Sequence, residues 1–440
     1  MADIRPFPAL MPAPDYAARI AALPYDVYTR KEALAEVARE PLSFLHIDRP
    51  ETWFDDQVDI YDPKVYEKAG QVLKDWQEKG YFIQDCRPCY YIYEQVMDGR
   101  PQTGIVACAS VNDYIHHVIK KHEKTRVDKE QDRIRHIKVC QAQTGPIFLA
   151  YRENEKISEI TALAMQRTPL YDFTTKEGIG QRVWKIDSDE EISVIRECFS
   201  KIGEIYIADG HHRAASAVRV SQMRRKALGL SDSQEAGDES DGFLCVLFPD
   251  RELEIMPYNR VVKDLGGYSA EAFLEELSGP FKLTPLPGGT PQEQPFPRRK
   301  GSFGMYLEKR WYILELKDGQ KPEKRLPGTD NTLAGISGKG CEAGQAVSGL
   351  DVSVLQDYVL GPLLNINDPR LNERIDFVGG IHGLKALESY CDDQGWAVAF
   401  AMYPTSMEEL FMVADQGALM PPKSTWFEPK LRSGLFIHKI

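Results

Sequence analysis

Ile205-Tyr206-Ile207-Ala208-Asp209-Gly210-His211-His212-Arg213-Ala214-Ala215 is the stretch whose reading decides the fold. The apolar run ending in an acid predicts a short buried strand. Ala214, Ala215 and Ala217 give the small-residue face of a helix that runs from His211 to about Arg225. Between them Gly210 makes a strand-to-helix turn. Glycine lets another group come close to the backbone there, and a helix N-terminus presents unbonded N–H groups with partial positive charge. Arg213 adds a fork of donors suited to phosphate. Asp209, at the strand end, has the chemistry to take a proton or hold a metal. A plain helix cap would account for Asp209 alone, but it does not call for His211, His212 and Arg213 behind it.

Two other segments carry comparable chemistry. Lys120-Lys121-His122-Glu123-Lys124-Thr125-Arg126 sets four Lys/Arg around one carboxylate. It reads either as a local anion attractor with Glu123 as base or metal ligand, or as a solvated run paired with Asp128, Glu130 and Asp132. Met420-Pro-Pro-Lys423-Ser424-Thr425-Trp426-Phe427-Glu-Pro-Lys430 reads as a proline-stiffened loop. It either brings Lys423, Ser424, Thr425 and Lys430 to the cleft of Asp209 and Lys121, or packs Trp426 and Phe427 into a C-terminal core. It lacks the glycine pattern of a Walker A loop, and no GxGxxG followed by an acid marks a dinucleotide site. Asp26, in Leu23-Pro-Tyr-Asp-Val, lines a site or caps the helix that begins near Lys31. His382, in Gly379-Gly380-Ile381-His382-Gly383, follows a strand and opens a helix, where it either reaches an anion or is structural.

The rest of the chain sorts around these segments. The proline-rich residues 1–30 are expected to run extended along a surface. Lys31–Arg39 and Val65–Lys79 have helical spacing. Cys89–Val96 and Gln102–Ser110, joined through Asp98-Gly99, predict a hairpin. A helix should run to about Gln143, followed by a buried strand at 146–151. Leu228–Asp241 reads as a polar loop and 318–347 as a long Gly/Lys/Ser-rich excursion. A new unit should begin near 263, which divides the chain into a catalytic core over 1–262 and an α/β domain over 263–440 that folds a loop back to the site. With 440 residues, more than one core is expected. Strands and helices mix without strict alternation, so the fold class is α+β or mixed α/β.

Composition narrows the function. A net charge of −12 disfavours nucleic acid as a partner. The N-terminus lacks the basic start and apolar core of a signal peptide, and no apolar run approaches a membrane span. A cytoplasmic protein without a membrane partner is expected, and a homo-oligomer is compatible with the sequence. Cys86 and Cys89 form the one CxxC. No second pair stands near it to complete a zinc site, so the expectation is thiols in a reducing compartment.

Taken together the segments resemble the DUF1015 family. The matching residues are Arg5-Pro-Phe-Pro, Pro24-Tyr-Asp-Val, Ser43-Phe-Leu-His, Lys120-Lys-His-Glu-Lys-Thr, Ala208-Asp-Gly-His-His-Arg, Leu350-Asp-Val-Ser-Val-Leu and Pro422-Lys-Ser-Thr-Trp-Phe-Glu-Pro-Lys. The Asp-Gly-His-His-Arg element is also similar to that of free L-serine kinases, whose fold is ParB/sulfiredoxin-like. The resemblance implies a ParB/sulfiredoxin-like phosphate-binding core elaborated by N- and C-terminal α/β regions. It implies an Mg²⁺-dependent phosphotransferase that forms O-phospho-L-serine from pyrophosphate or a nucleotide. The partners would be a small phosphate donor and a hydroxyl acceptor.

On that resemblance Asp209 and Glu123 are the catalytic carboxylates, one of them holding Mg²⁺. Gly210, His211, His212, Arg213, Lys121, His122 and Lys423 would bind phosphate, and Thr125, Ser424, Thr425 and Asp26 the substrate. A phosphate-ester or nucleotide hydrolase and a non-enzymatic sensor of a phosphorylated ligand are the alternatives. The arginine motif of ParB is not matched in its DNA-binding context. His211 and His212 stand where the catalytic cysteine of sulfiredoxin would fall, and both departures count against those activities.

Overall fold

The computed structural model describes residues 1–291, 296–317 and 346–440. Most of the 318–347 stretch therefore lies outside the described residues. The chain divides into two compact units, Met1–Leu253 with Pro429–Ile440, and Glu254–Glu428.

This division departs from 1–262 and 263–440 at both boundaries. Tyr258–Val262 is an interior strand of the second unit's sheet, between Val398–Ala401 and Ile375–Gly379, so the boundary falls before it. Residues 429–440 return to the first unit. Leu431 to His438 are all buried, His438–Lys439 pairs with Ala142–Gln143, and single bridges join Ile437 to Leu10 and Ser433 to Ala22. Gly434 has φ +87, and a Cβ on it would lie 2.6 Å from the Phe44 ring. That closeness locks the returning segment to its neighbour.

The first unit is built on a nine-stranded mixed sheet. Its order is Ile119–Lys120, Ile205–Asp209, Ile147–Tyr151, Gly242–Pro249, Arg100–Ser110, Tyr90–Met97, Gly180–Ile186 and Tyr171–Thr174, with Ile4–Arg5 also pairing with Arg100–Ser110. Gly242–Pro249 is buried along its whole length and runs parallel to Ile147–Tyr151, as an uninterrupted apolar run should when both faces are covered. The hairpin forms as expected. Met97 pairs with Arg100, and Asp98 and Gly99 take φ +51 and +80 as a two-residue turn of the favoured hand requires.

The N-terminal stretch does not run along a surface. Ile4, Phe7 and Leu10 are buried, because Ile4–Arg5 adds to the sheet and Leu10–Pro12 pairs with Phe82–Gln84. The helix Val127–Cys140 stops short of Gln143. Gln141 takes the left-handed conformation, and Ala142–Gln143 becomes the strand that receives the C-terminal segment. That helix packs on His211–Ala227 and on Pro63–Glu78. The polar loop after Ala227 is tied down by Arg225, whose guanidinium is buried against Asp241 at 2.7 Å and also donates to Asn112.

The second unit is a six-stranded antiparallel sheet. Its order is Phe281–Pro285, Arg310–Leu316, Ser302–Leu307, Val398–Ala401, Tyr258–Val262 and Ile375–Gly379. The helix Gly383–Asp392 lies against it through Leu384 and Leu387, which join Val261, Tyr306, Trp311 and Ala399 in one apolar core. The fold is mixed α/β overall. No helix among the described residues is long and apolar enough to cross a membrane.

Candidate active site at the Asp209–Gly210 turn

The strand Ile205–Asp209 is pinned on both sides. It pairs parallel with Ile119–Lys120 and antiparallel with Ile147–Tyr151, with a register shift between Ile207 and Asp209. The pairing with Ile119–Lys120 carries the following residues 121–123 to the end of the same strand. The bulge re-aims its last residue, a common use of such irregularities near sites.

Gly210 follows with φ +90, a conformation that costs a side-chain-bearing residue about 1–2 kcal/mol. The helix begins at His211 with no side-chain cap, and its first backbone bond runs from Ala214 N–H to Gly210 O. The amides of His211, His212 and Arg213 therefore lie in the first turn, where helices do not bond their own N–H groups.

Asp209 is the centre of a charge cluster. Its Oδ1 accepts the Gly210 N–H at 2.8 Å, and its Oδ2 accepts from Lys430 Nζ at 3.2 Å, with Arg213 Nη2 at 3.8 Å. Burial by itself would raise the carboxyl. The charges of Lys430 and Arg213, and the bonds from Lys430 and Gly210, outweigh it and hold Asp209 well below the usual carboxylate range. Asp209 is thus permanently ionised near neutrality, and two cations are gathered at one strand end.

The backbone of Lys430 is set by a row of glutamines. Gln102, Gln95 and Gln181 are fully buried and pair directly across three neighbouring strands. Gln95 Nε2 donates to Lys430 O at 2.9 Å and Gln102 Nε2 to Pro429 O at 3.5 Å. The Tyr93 hydroxyl donates to Gln181 and accepts the Arg432 N–H. Sequence reading missed this row. Its one signal was a glutamine in each of three strands.

The histidines do not act as cations. His211 and His122 are buried edge to face, with ring centroids 4.5 Å apart. Burial pushes His122 down to about 4 and His211 well below the ordinary imidazole value. Glu123 Oε2 lies 3.7 Å from His211 Nδ1, which ties the second carboxylate to the turn. His212 Nε2 accepts the Arg126 N–H at 2.9 Å, so it too is held neutral at that nitrogen and burial lowers it.

Other expected residues have different employment. The Lys121 ammonium sits 4.3 Å over the Tyr114 ring, and burial lowers its pKa. Thr125 donates to Glu130, Arg126 pairs with Asp128 at 2.8 Å, and Lys120 with Glu204 at 2.5 Å. Much of the charged run is therefore internally paired. Asp26 is exposed on the short turn Tyr25–Val27. Lys423, Ser424 and Thr425 belong to the second unit. There Ser424 Oγ donates to Pro421 O at 2.7 Å, and the Lys423 ammonium lies 5.4 Å from the Tyr258 ring centroid. Of the C-terminal lysines, Lys430 is the one found at Asp209.

Beside Arg213 a narrow cavity of about 30 Å³ is lined by Tyr25, Asp48, Arg133, Thr144 and Ser433. Gly145 forms part of its wall, and a Cβ there would lie 3.3 Å from Ser433 Oγ and 3.7 Å from Arg213 Cδ. Arg133 stacks 4.0 Å over the Tyr25 ring and bonds Asp132. Asp48 accepts from Thr144 at 2.8 Å. Among the described residues no group of three or more His, Cys, Asp or Glu is disposed to hold a metal. Mg²⁺ at phosphate sites commonly takes one or two carboxylates and completes its shell with phosphate oxygens and water. The carboxylates at this turn are Asp209 and Glu123, the latter 3.7 Å from His211 Nδ1.

The family model described as a protein of unknown function, DUF1015, matches residues 4–353. No curated protein matches the chain. Among solved structures, a free serine kinase in complex with AMP is similar at 14% identity, over 76% of this chain and 91% of that one, with a TM-score of 0.32. SbnI from Staphylococcus aureus, with a C-terminal truncation, is similar at 14% identity over 73% and 82%, with a TM-score of 0.34. A conserved hypothetical protein from Pyrococcus furiosus is similar at 12% identity over 78% and 96%, with a TM-score of 0.31. These likenesses are remote.

Proposed function

This chain belongs to the DUF1015 family, and on that footing we propose that it is a small-molecule phosphotransferase with an alcohol as acceptor, free L-serine first among the candidates. The observation that carries the reading is the convergence of Lys430 and Arg213 on Asp209 at an uncapped helix start. Phosphoryl transfer needs positioning and charge stabilisation more than covalent chemistry. The first-turn amides and the Arg213 guanidinium supply directed donors for phosphate oxygens. Lys430 supplies a second cation. We extend the ParB/sulfiredoxin-like assignment to the first unit as part of the same reading.

Asp209 accepts the acceptor's hydroxyl proton. A carboxylate held so far below its usual range is a weak base, so proton transfer is late and the main work of Asp209 is to orient the hydroxyl. When the donor phosphates enter, Lys430 and Arg213 can turn part of their charge to them, which relaxes their hold on Asp209 and strengthens it as a base. Glu123 would hold Mg²⁺, which would supply charge neutralisation for the donor phosphates. His122 and His211 form the neutral wall of the site. Donor is the least constrained part of the reading, with pyrophosphate and nucleotides both fitting a site built for phosphate.

The test is a matrix of pyrophosphate, ADP and ATP against L-serine and other hydroxyl compounds with Mg²⁺, read by mass spectrometry. A phosphorylated acceptor supports the reading. Release of orthophosphate without an acceptor product would make the protein a hydrolase. Tight binding of a phosphorylated compound without turnover would make it a sensor.

A further inference from the structure

A cavity of the second unit lies on a strand-to-helix turn with no part in the chemistry above. It has a volume of about 370 Å³, and its lining includes Phe377, Gly379, His382, Ala386, Tyr390 and Trp426. That volume falls in the range of small-molecule sites. Four of these six residues are rings, and the other two are small. Ala386 and Tyr390 are one turn apart on the helix Gly383–Asp392, so the alanine leaves open the space in front of the phenol.

Gly379 serves the indole. Its φ of −60 makes no demand for glycine, but a Cβ there would lie 2.8 Å from Trp426 Cε2. The absence of a side chain lets the Trp426 ring lie directly against the strand. The indole is then fixed by its Nε1–H, which donates to Glu428 Oε1 at 3.0 Å, and by the Tyr258 ring edge to face at 4.9 Å. A large ring held this firmly at the mouth of a cavity is a prepared stacking surface.

The floor of the cavity has polar edges. Ile375–Gly379 is the last strand of its sheet, and its register pairs Asp376 with Val261, Val378 with Asn259 and Phe377 with Arg260. Gly380 N–H donates to Pro257 O, and Lys263 N–H to Arg374 O, so the even-numbered residues 374 to 380 bond inward. The Phe377 N–H is taken by Asp376 Oδ1 at 2.7 Å, which leaves the Phe377 C=O and the Gly379 N–H at the outer edge, an acceptor beside a donor.

Charges of both signs stand beside the aromatic walls. The Arg260 guanidinium is 5.4 Å from the Phe377 ring centroid, while Asp376 accepts the Phe377 N–H and Glu428 the Trp426 Nε1–H. Net charge therefore does not select the ligand, and the acceptor and donor at the strand edge do. A flat ring with polar edge atoms stacks on such walls and meets that edge.

We propose that the second unit binds a planar nitrogen heterocycle of nucleobase size, stacked on Trp426 and read along its edge by the backbone of Phe377 and Gly379. The donor and acceptor atoms of the ligand stand side by side.

The probes are the four ribonucleosides adenosine, guanosine, cytidine and uridine. They carry no phosphate, so binding is independent of the Arg213 site and is measured equally well in an Arg213→Ala chain. Full-length protein titrated by calorimetry should give saturable 1:1 binding of at least one nucleoside. Trp426→Leu should weaken it about tenfold or more, in keeping with the loss of one base-stacking surface. Ala386→Trp, which fills the cavity from the helix without touching the indole's anchors, should abolish it. Circular dichroism and thermal melting establish that each variant is folded, and should Trp426→Leu fail to fold, Ala386→Trp alone decides. The proposal is overturned if no nucleoside binds saturably up to several millimolar, if folded Ala386→Trp binds as well as the parent, or if indene, a flat hydrocarbon with no edge donors, binds as tightly as the best nucleoside.

Discussion

The molecule makes the same local device twice. Ile205–Asp209 runs through Gly210 into His211 and a helix, and Ile375–Gly379 runs through Gly380 and His382 into a helix. In the first turn glycine is required by the backbone, at φ +90. In the second, Gly379 is required by a neighbouring ring. The first turn collects Lys430, Arg213 and Asp209, with His211 buried and His212 half-buried. The second collects Trp426, Tyr390 and Phe377, and its histidine is exposed. A strand–glycine–histidine–helix string therefore fixes a place for a ligand but not its chemistry, which comes from residues far away in sequence.

The largest effect should separate the turns by charge. Arg213→Ala is expected to slow phosphoryl transfer on the order of 10³-fold. Arg213→Lys should recover only part of this, because a point charge does not reproduce the fork. Steady-state kinetics on folded protein decide it, and full turnover by Arg213→Ala would remove the distinction between the turns.

The units also carry acids tuned in opposite directions. Asp351, in the second unit, accepts the Gly301 N–H and is raised to about 6, chiefly by burial. A raised folded value makes the protonated form the stabilising one. Its contribution is full below the unfolded value near 4 and is lost as pH rises through about 6. The loss is about 2–3 kcal/mol at neutral pH. Asp209 is lowered, so its contribution is present above the unfolded value and lost only as pH falls below the usual carboxylate range. Thermal melts from pH 4 to 7 should show a falling limb that Asp351→Asn flattens and Asp209→Asn does not.

Lys430→Met should cost about 2 kcal/mol. Breaking a fully buried pair costs about 3–5 kcal/mol, but the Asp209 side chain keeps 33% of its exposure. Adding Asp209→Asn should restore part of the loss, since no unpaired carboxylate then remains. Denaturant unfolding of the three variants measures the coupling, and additive losses would mean that the two groups do not interact.

The smallest expected effect, about 1 kcal/mol, comes from Gly210→Ala, through its positive φ and the Arg213 guanidinium 3.1 Å from the new Cβ. Gly379→Ala should instead shift the tryptophan emission with little change in backbone stability. If the two substitutions gave the same signature, the glycines would not differ in the way described.

Local rules made the core of the first site legible. The strand, the turn and the helix at 205–227 follow from an apolar run, a glycine and spaced alanines. The hairpin at 90–110 follows from Asp98-Gly99 in the same way. The partners of the site were harder. Lys430 was read with Lys423 as one stiff loop, yet the boundary between the units falls after Glu428. Nothing in the composition of 420–430 marks that point. His122 and His211 stand as phosphate ligands on the resemblance alone. Their burial, which depends on packing across the sheet, makes them neutral. The glutamine row at 95, 102 and 181 appears only once three strands are aligned.

The return of Pro429–Ile440 to the first unit means that one unit is threaded through the other in chain order. On the ribosome, the sheet bearing Asp209 emerges long before Lys430, and the whole of 254–428 must be synthesised in between. A nascent chain can thus fold most of the first unit while its acidic turn still lacks its lysine. The protein acquires its complete charge cluster late in translation, and a product cut short after Glu428 would keep the Asp209–Gly210 turn yet leave Asp209 without that cation.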